Sequence, residues 1–190
     1  MNRTLGRTGL EVAPIAFGAF KIGRNEKTKY PQDYELPSDQ EVAVLLNAFL
    51  DNGINLIDTA PAYGRSESLL GEHLDSRRDE FILCTKVGEL FQDGRSQYRF
   101  DAEAINTSLE GSLRRLRSSL IDVVHVHSDG NDQEIIRRSD VLETLQARRE
   151  RGDLRFIGFS GKTIDGQLEA IATGVVDVVM VEYNKLPAEQ

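Results

Sequence analysis

The stretch NLIDTAPAYGRSESLLG, residues 55–71, joins a short apolar segment to a polar loop and indicates the fold class. Its apolar start ends at Asp58, and Tyr63 follows in the loop. Upstream, residues 38–41 read Ser-Asp-Gln-Glu, a capping box that opens a helix, and Gly53 is the stop signal expected just past a helix end. A helix, a glycine stop, a short buried strand and a polar loop together make one unit of an alternating α/β fold.

The same unit recurs along the chain. Further short apolar runs, rich in β-branched residues, occupy residues 15–17, 81–84, 121–126, 155–159 and 177–181. Runs that are continuously apolar rather than alternating are typical of parallel strands buried on both faces. With the run at 55–57 they predict six parallel strands separated by helices, in either a doubly wound open sheet or a closed barrel.

Three more helices are predicted from their caps and apolar faces. Asp101 opens the first, and Asp140 opens the second together with Glu143. A shorter third helix stops at Gly174, and its predicted apolar stripe consists of Leu168, Ile171 and Ala172. These helices fill the intervals between the later strands, as a βαβ array requires.

The segments outside this array carry predictions of their own. Residues 3–5 and 10–12 predict a small hairpin that can cover the N-terminal end of a barrel. The polar loop at residues 21–37 is longer than most connections, and loops of that length are more often functional than idle. We expect this loop and the segment 128–139 to wall a pocket.

The overall composition predicts a single globular domain. Of the 190 residues, 39% are hydrophobic and 28% are charged, and the formal net charge is −8. This charge argues against nucleic-acid and anionic-membrane partners, which need a basic footprint. No apolar stretch has the length of a membrane span or of an export signal, so we expect a cytoplasmic protein. The one cysteine, Cys84, is predicted to be buried in a strand.

Four polar residues stand at or just after the carboxyl ends of predicted strands: Asp58, Tyr63, Lys86 and His127. Each alone has an ordinary structural explanation, respectively as a turn residue, a loop anchor, a strand end and a core imidazole. The carboxyl ends of parallel barrel strands share one rim, so the four side chains are predicted to converge there. Their combination favours an active site over four separate structural roles.

These four groups form a coherent set for acid–base catalysis. A phenol has a pKa of about 10, too high for easy proton exchange near neutral pH. We expect the Lys86 ammonium to lower the pKa of Tyr63 and the Asp58 carboxylate to hold that ammonium in place. The His127 imidazole can orient a carbonyl oxygen or relay a proton. The set predicts that Tyr63 is the general acid in a reaction that delivers hydride to a carbonyl carbon.

The motif Asp58-Thr-Ala-x-x-Tyr-Gly-x-Ser-Glu-x-x-Leu-Gly71 resembles the signature of the aldo-keto reductase family. Four other segments are similar to further motifs of that family, at residues 5–12, 85–88, 121–127 and 152–160. The resemblance implies a (β/α)8 barrel oxidoreductase that moves hydride between NADPH and a small-molecule aldehyde or ketone. The reverse reaction, on an alcohol or sugar, is equally implied. It further implies that the four rim residues are the family's catalytic tetrad.

The resemblance also implies which residues contact the cofactor: Gly18, Ala19, Phe20, Asp58, Ser160, Gly161 and Met180. Ser160 matches the residue that bonds the nicotinamide carboxamide. The family usually has asparagine and glutamine at the positions of Gly161 and Met180, and neither residue here can bond the amide in the same way. NADP is the implied cofactor, with NAD as the alternative, and no metal site is predicted.

Six predicted strands are fewer than the eight of a closed barrel. We expect residues 1–190 to form one barrel domain that is incomplete at its carboxyl end, either as a fragment or as a chain completed by self-association. In the family the missing segments hold the cofactor phosphates, so the chain alone is expected to be inactive. Two rival functions stay open: a barrel aldolase in which Lys86 forms a Schiff base, and a non-catalytic nucleotide-binding or regulatory barrel.

Overall fold

The computed structural model describes residues 2–28 and 32–183, so residues 29–31 of the predicted long loop lie outside it. Its strands, in chain order, are β1 (Arg3–Thr4), β2 (Glu11–Val12), β3 (Phe17–Gly18), β4 (Leu56–Asp58), β5 (Ile82–Val87), β6 (Glu89–Gln92), β7 (Arg95–Tyr98), β8 (Ile121–His127), β9 (Leu154–Ser160) and β10 (Val178–Met180). Its helices are α1 (Phe20–Gly23), α2 (Asp39–Asp51), α3 (Ser66–Leu74), α4 (Ala102–Arg115), α5 (Asp132–Arg138), α6 (Val141–Glu150) and α7 (Ile164–Ala172). A 3-10 segment, Asp75–Glu80, follows α3.

A six-stranded parallel sheet forms the centre of the fold. Its strand order is β3-β4-β5-β8-β9-β10, and every neighbouring pair is parallel. The strands that neighbour each other follow one another in the chain apart from the β6–β7 hairpin, as expected for successive βα units. All six predicted strands are therefore present, although β3 begins at Phe17 rather than at residue 15.

The N-terminal hairpin is confirmed, and it packs against the barrel interior. Strands β1 and β2 pair antiparallel, and Leu10 and Val12 join a buried cluster with Ile82, Cys84 and Val123. Cys84 is 4% exposed, as predicted, and burial raises the pKa of its thiol far above the usual range. The thiol is consequently an inert packing group.

The helix caps agree with the sequence in two of three cases. Ser38 and Glu41 form both hydrogen bonds of the capping box that starts α2, and Asp101 accepts from Ala104 N at 3.0 Å to start α4. The prediction for Asp140 is wrong in its mechanism. Helix α6 begins at Val141 as expected, but the Asp140 backbone is not extended and its side chain makes no capping bond.

The predicted apolar stripe of α7 is also wrong. Thr163 caps this helix by accepting from Gly166 N at 3.1 Å, and the helix turns Gln167 and Ala170 towards the sheet. Leu168 and Ile171 are 59% and 52% exposed. Helix α7 contacts α5 and β9 through its more polar face, and periodicity alone does not tell which face a sheet selects.

The β6–β7 hairpin and three of the helices were not predicted from the sequence, and of these helices the four-residue α1 overlaps the start of the predicted loop at residues 21–37. The hairpin turn is Asp93-Gly94, with φ of 53° and 71°, and an Asp-Gly pair between two strand-like segments is a readable hairpin signal. Helix α3 lies within residues 66–74, and α5 lies within the segment 128–139 that was expected only to wall a pocket. Both helices are short, which weakens their periodic pattern.

Gly71 marks the closest approach of two helices. A Cβ at Gly71 would lie 2.2 Å from Arg115 O and 2.7 Å from Leu116 C, both backbone atoms at the end of α4. Gly71→Ala is therefore expected to lower the free energy of unfolding by about 3 kcal/mol, the upper part of the usual range for overpacking. Chemical denaturation of the two proteins measures this difference.

Gly111, in the middle of α4, provides the matched control. A Cβ there would meet only the guanidinium end of Arg115, at 2.9 Å, and that end can shift. Alanine is favoured over glycine inside a helix by about 1 kcal/mol. Gly111→Ala should consequently leave stability within about 1 kcal/mol of the parent. Equal losses at both positions would contradict the helix-contact explanation.

In the part of the chain that the structure covers, every helix is too short or too polar to cross a bilayer.

Candidate active site

The registers of the parallel strands align the predicted site residues along one rim. Gly18 pairs with Asp58 and Lys86 pairs with His125, the neighbour of the rim residue His127. His127 pairs with Ser160, which in turn pairs with Met180. The carboxyl ends of all six strands therefore lie at the same end of the sheet, as the barrel prediction required.

Asp58 and Lys86 form a buried ion pair at this rim. Lys86 is 1% exposed, and its Nζ donates to both carboxylate oxygens of Asp58 at 2.7 Å and to Thr59 O at 2.9 Å. Burial by itself lowers the pKa of Lys86, but Asp58, and then Tyr63, raise it by more, so the net shift is upward. Lys86 is accordingly held as a charged ammonium.

Tyr63 lies against this ammonium. Lys86 Nζ is 4.7 Å from the centroid of the Tyr63 ring, and the phenol is within hydrogen-bonding reach of it. Phe20 packs edge-on against Tyr63, with ring centroids 5.1 Å apart. The half-buried phenol thus has an apolar wall on one side and a fixed cation on the other.

The pKa of Tyr63 is raised, although the sequence predicted that Lys86 would lower it. Burial raises the pKa of Tyr63 by more than the Lys86 ammonium lowers it, and the Asp58 charge raises it further. The carboxylate that fixes Lys86 also offsets much of its effect on the phenol. Tyr63 is therefore held in its protonated form, which suits a proton donor.

His127 completes the set at the end of β8. Its ring is perpendicular to that of Tyr63, at 89° and 6.4 Å between centroids. Its Nδ1 lies 2.9 Å from Glu89 Oε2, and its side chain is 20% exposed. His125, two residues earlier, is buried, and burial lowers its pKa to about 3, so that ring stays neutral. Only His127 of these two can meet a ligand at the rim.

Other polar residues of the 55–71 motif form hydrogen bonds that hold the strands of the site in place. Ser66 Oγ and Thr59 Oγ1 are 2.8 Å apart. The buried Glu67 accepts from Thr85 Oγ1 at 2.6 Å and from Arg115 Nε at 2.8 Å. These bonds join α3 and α4 to the strands that carry Asp58 and Lys86. The motif therefore combines reactive residues with the polar contacts that hold their strands in place.

A cavity of about 450 Å³ opens beside Tyr63 and His127. Its other lining residues are Phe20, Arg24, Lys27, Thr28, Ala62, Glu89, Ser96, Tyr98 and Lys162. Part of the wall comes from the predicted long loop and part from the β6–β7 hairpin that the sequence reading missed. The segment 128–139 lines a separate cavity of about 420 Å³ together with Thr163, and none of its residues, all of which the structure describes, lines the cavity beside Tyr63. The prediction that this segment walls the active-site pocket is therefore wrong. Asp132 instead points into the fold and bonds Thr163.

The residues expected at the nicotinamide also lie at the rim. Gly18 ends β3, and Ala19 N donates to Asp58 O at 2.8 Å. A Cβ at Gly18 would meet no atom of residues 2–28 or 32–183 within 4 Å, so these residues leave the space above it open. Ser160 ends β9, and its hydroxyl takes part in no hydrogen bond with any of the residues the structure describes. These positions leave an open backbone and a free hydroxyl along the rim.

Gly161 and Met180 are joined by a side chain from α7. Gln167 Nε2 donates to Gly161 O at 3.2 Å and to Met180 O at 2.9 Å. A Cβ at Gly161 would lie 2.7 Å from the Phe159 ring, 2.9 Å from Asp132 Oδ2 and 3.0 Å from Gln167 Nε2. The packing around this backbone explains why a glycine, rather than a larger amide residue, follows Ser160.

Gly161→Asn is expected to destabilise the protein by about 1–3 kcal/mol, the usual cost of overpacking. Phe159 is fully buried and Asp132 is held by bonds to Lys162 N and Thr163 N, so neither neighbour is free to move. Chemical denaturation measures the change. Gln167→Ala removes one of the three crowding groups as well as two hydrogen bonds, so Gly161→Asn should cost less when it is introduced into Gln167→Ala than when it is introduced into the parent. An unchanged unfolding free energy in Gly161→Asn would contradict the steric explanation.

Comparison with known proteins identifies relatives of this arrangement. A family model described as "Aldo/keto reductase family" matches residues 14–190. L-galactose dehydrogenase from Arabidopsis thaliana is 34% identical over 188 residues, which make up 94% of this chain and 54% of that protein. D-arabinose 1-dehydrogenase from Saccharomyces cerevisiae is 32% identical over 162 residues, or 81% of this chain and 44% of that protein.

A solved structure shares the fold. A protein from Pseudomonas aeruginosa assigned to the aldo-keto reductases superposes with a TM-score of 0.89 at 45% identity, and the match covers 97% of this chain and 68% of that one. The chain spans about half the length of the two curated relatives.

Proposed function

Because this chain belongs to the aldo/keto reductase family, we propose that it acts as an oxidoreductase that transfers hydride between NADP(H) and the carbonyl carbon of an aldehyde, ketone or sugar. Its six parallel strands correspond to part of a (β/α)8 barrel. The observation that carries the proposal is the contact of Tyr63 with the Asp58–Lys86 ion pair at the edge of an open cavity. Tyr63 is the proposed general acid and base.

The rim residues fit a nicotinamide ring. Open space over Gly18 lets a flat ring approach the backbone, and the unbonded Ser160 hydroxyl can bond a carboxamide. Phe20 and Met180 would contribute apolar contact to the ring. When bound, the nicotinamide supplies or receives the hydride, and NADP is the proposed form with NAD as the alternative. Gly161 contributes only its backbone.

Tyr63 donates or accepts the proton of the reaction, and the Asp58–Lys86 ion pair assists it. In reduction, the Tyr63 phenol donates its hydrogen to the carbonyl oxygen as negative charge develops there. The Lys86 ammonium stabilises the phenolate that remains, because it lies close to the ring and is almost excluded from water. Asp58 keeps the ammonium charged and in place through both carboxylate oxygens. In the reverse direction the phenolate takes the proton from a substrate hydroxyl.

The Schiff-base alternative requires Lys86 to be a neutral nucleophile. Its Nζ is bonded to Asp58 and Thr59, and Asp58 raises its pKa. Both features favour the ion-pair role over imine formation. The regulatory alternative predicts nucleotide binding without turnover.

Small sugars and related aldehydes are the proposed substrate class. Two relatives are named as dehydrogenases of L-galactose and D-arabinose. The cavity carries many hydrogen-bonding side chains, among them Lys27, Ser96, Tyr98 and Lys162. Such a lining suits a ligand with several hydroxyl groups better than an apolar one.

The proposal is tested with purified protein in two steps. Nicotinamide fluorescence is followed while NADPH is added, and then NADPH oxidation is followed with 4-nitrobenzaldehyde and NADP⁺ reduction with L-galactose or D-arabinose. For a form of the protein in which the eight-stranded barrel is complete, binding followed by substrate-dependent turnover is the expected result, whereas the 190-residue monomer is expected to be inactive. Binding without any turnover would favour the regulatory barrel, and a protein that ignores NADPH would overturn the proposal.

A further inference from the structure

The β6–β7 hairpin places the buried carboxylate of Glu89 next to Nδ1 of His127. Strand β6 begins at Glu89, only two residues after β5 ends, and Glu89 is opposite Tyr98 in the hairpin register. Glu89 is 8% exposed. A carboxylate this well buried needs partners for its charge, since an unpaired buried charge is costly.

Three donors surround Glu89. Ser96 Oγ donates to Oε1 at 2.5 Å, Tyr98 bonds the same carboxylate, and His127 Nδ1 lies 2.9 Å from Oε2. Burial raises the pKa of Glu89, but the contacts of His127 and Ser96 outweigh it and lower the value to about 2. Glu89 is thus an anion at any physiological pH, with one oxygen towards the imidazole.

His127 Nδ1 depends on that oxygen. The atom is buried and has no aligned hydrogen-bond partner in the described part of the chain, so Glu89 Oε2 is the acceptor at hand. A carboxylate only accepts hydrogen bonds, and the ring nitrogen that faces it must carry the hydrogen. The exposed fifth of the His127 side chain lines the cavity beside Tyr63.

We propose that Glu89 is a positioning residue that holds His127 in the Nδ1–H form and so confines proton exchange to Nε2, the ring nitrogen left for the substrate. With Nδ1–H fixed, the charged imidazolium uses Nε2–H to donate to a carbonyl oxygen in reduction, and the neutral ring uses the bare Nε2 to accept from a hydroxyl in oxidation. One ring atom thereby serves both directions of the reaction. The inference rests on the proposed function and extends the catalytic set by one residue from a hairpin outside the barrel sheet.

Glu89→Gln is the test variant. It keeps the size of the side chain, but its amide can turn either an oxygen or an NH₂ group to Nδ1, so His127 should no longer be confined to one form. Nitrogen-15 NMR of protein with labelled histidine reports this directly. The chain has three histidines, so the signals that disappear from the spectrum of His127→Asn are those of His127.

In the wild type we expect a hydrogen-bearing Nδ1 and an exchanging Nε2, and in Glu89→Gln a mixture of both neutral forms. Turnover with 4-nitrobenzaldehyde should fall about 10- to 100-fold in kcat, less than the roughly 10²–10⁴-fold typical of a lost general acid, with KM within a few-fold. Glu89→Asp restores a carboxylate and should recover the wild-type nitrogen spectrum. Gln92→Ala, at the exposed end of the same strand, controls for loosening of the hairpin.

The NMR result separates this inference from the function on which it rests. A wild-type spectrum with the hydrogen on Nε2 and none on Nδ1, or identical spectra in wild type and Glu89→Gln, would overturn the role of Glu89 even in an active enzyme. The expected spectra in a protein that neither binds NADPH nor turns over a carbonyl would overturn the proposed function instead. Thermal unfolding of each variant identifies any that fails to fold. If Glu89→Gln does not fold, the spectrum of Glu89→Asp is compared with that of the wild type instead.

Discussion

Tyr63→Phe is expected to lower carbonyl reduction by about 10²–10⁴-fold, the usual effect of losing a positioned general acid. The substitution removes only the hydroxyl, so the contacts of the ring with Phe20 and with the Lys86 ammonium are retained. Binding of NADPH should consequently stay within a few-fold of the wild type. The measurements are steady-state rates with a panel of aromatic aldehydes and a fluorescence titration with NADPH.

The binding titration is the internal control for Tyr63→Phe. Equal losses of NADPH binding and of turnover would indicate that the substitution disrupts the structure of the site rather than only removing the proton donor. Turnover at the wild-type rate would remove Tyr63 from the catalytic role altogether.

Lys86→Met is expected to reduce turnover by a comparable factor, about 10²–10⁴-fold, and to destabilise the fold. Methionine matches much of the lysine volume, but it leaves Asp58 without its cation and Thr59 O without a donor. Removing one partner of a fully buried pair costs about 3–5 kcal/mol, and the 19% exposure of the Asp58 side chain places the expected cost at the lower end of that range.

A double variant separates the two effects of Lys86. Lys86→Met combined with Asp58→Asn removes both charges, so it should regain stability without regaining activity. Borohydride treatment of the wild type with an aldehyde should leave Lys86 unlabelled, because its amine is charged and paired with Asp58. A trapped adduct on Lys86, found by mass spectrometry, would instead support the Schiff-base enzyme.

The sequence predicted the parts of the fold that depend on local pattern. The continuous apolar runs gave all six parallel strands, and the capping box at Ser38 and the cap at Asp101 began the helices as expected. The choice of face on α7 failed because burial there is set by the sheet and by α5 rather than by the helix's own periodicity. Leu168 is exposed while Gln167 is buried to reach two backbone carbonyls.

The candidate site was predictable in position but not in electrostatics. Parallel strands bring their carboxyl ends to one rim, so the convergence of Asp58, Tyr63 and Lys86 followed from strand order alone. The net pKa shift of Tyr63 did not, because it depends on how far burial outweighs one nearby cation. Glu89 was missed since its role depends on a hairpin, although the Asp93-Gly94 pair signalled that turn.

Hydride transfer itself is the most direct test of the proposed function. The protein is incubated with 4-nitrobenzaldehyde and with NADPH that carries deuterium at both hydrogen positions of nicotinamide C4, and the alcohol product is examined by mass spectrometry. The proposed function predicts one deuterium on the former carbonyl carbon, at a rate that Tyr63→Phe lowers by about 10²–10⁴-fold. An alcohol without deuterium, or deuterium transfer at the same rate in Tyr63→Phe, would contradict it.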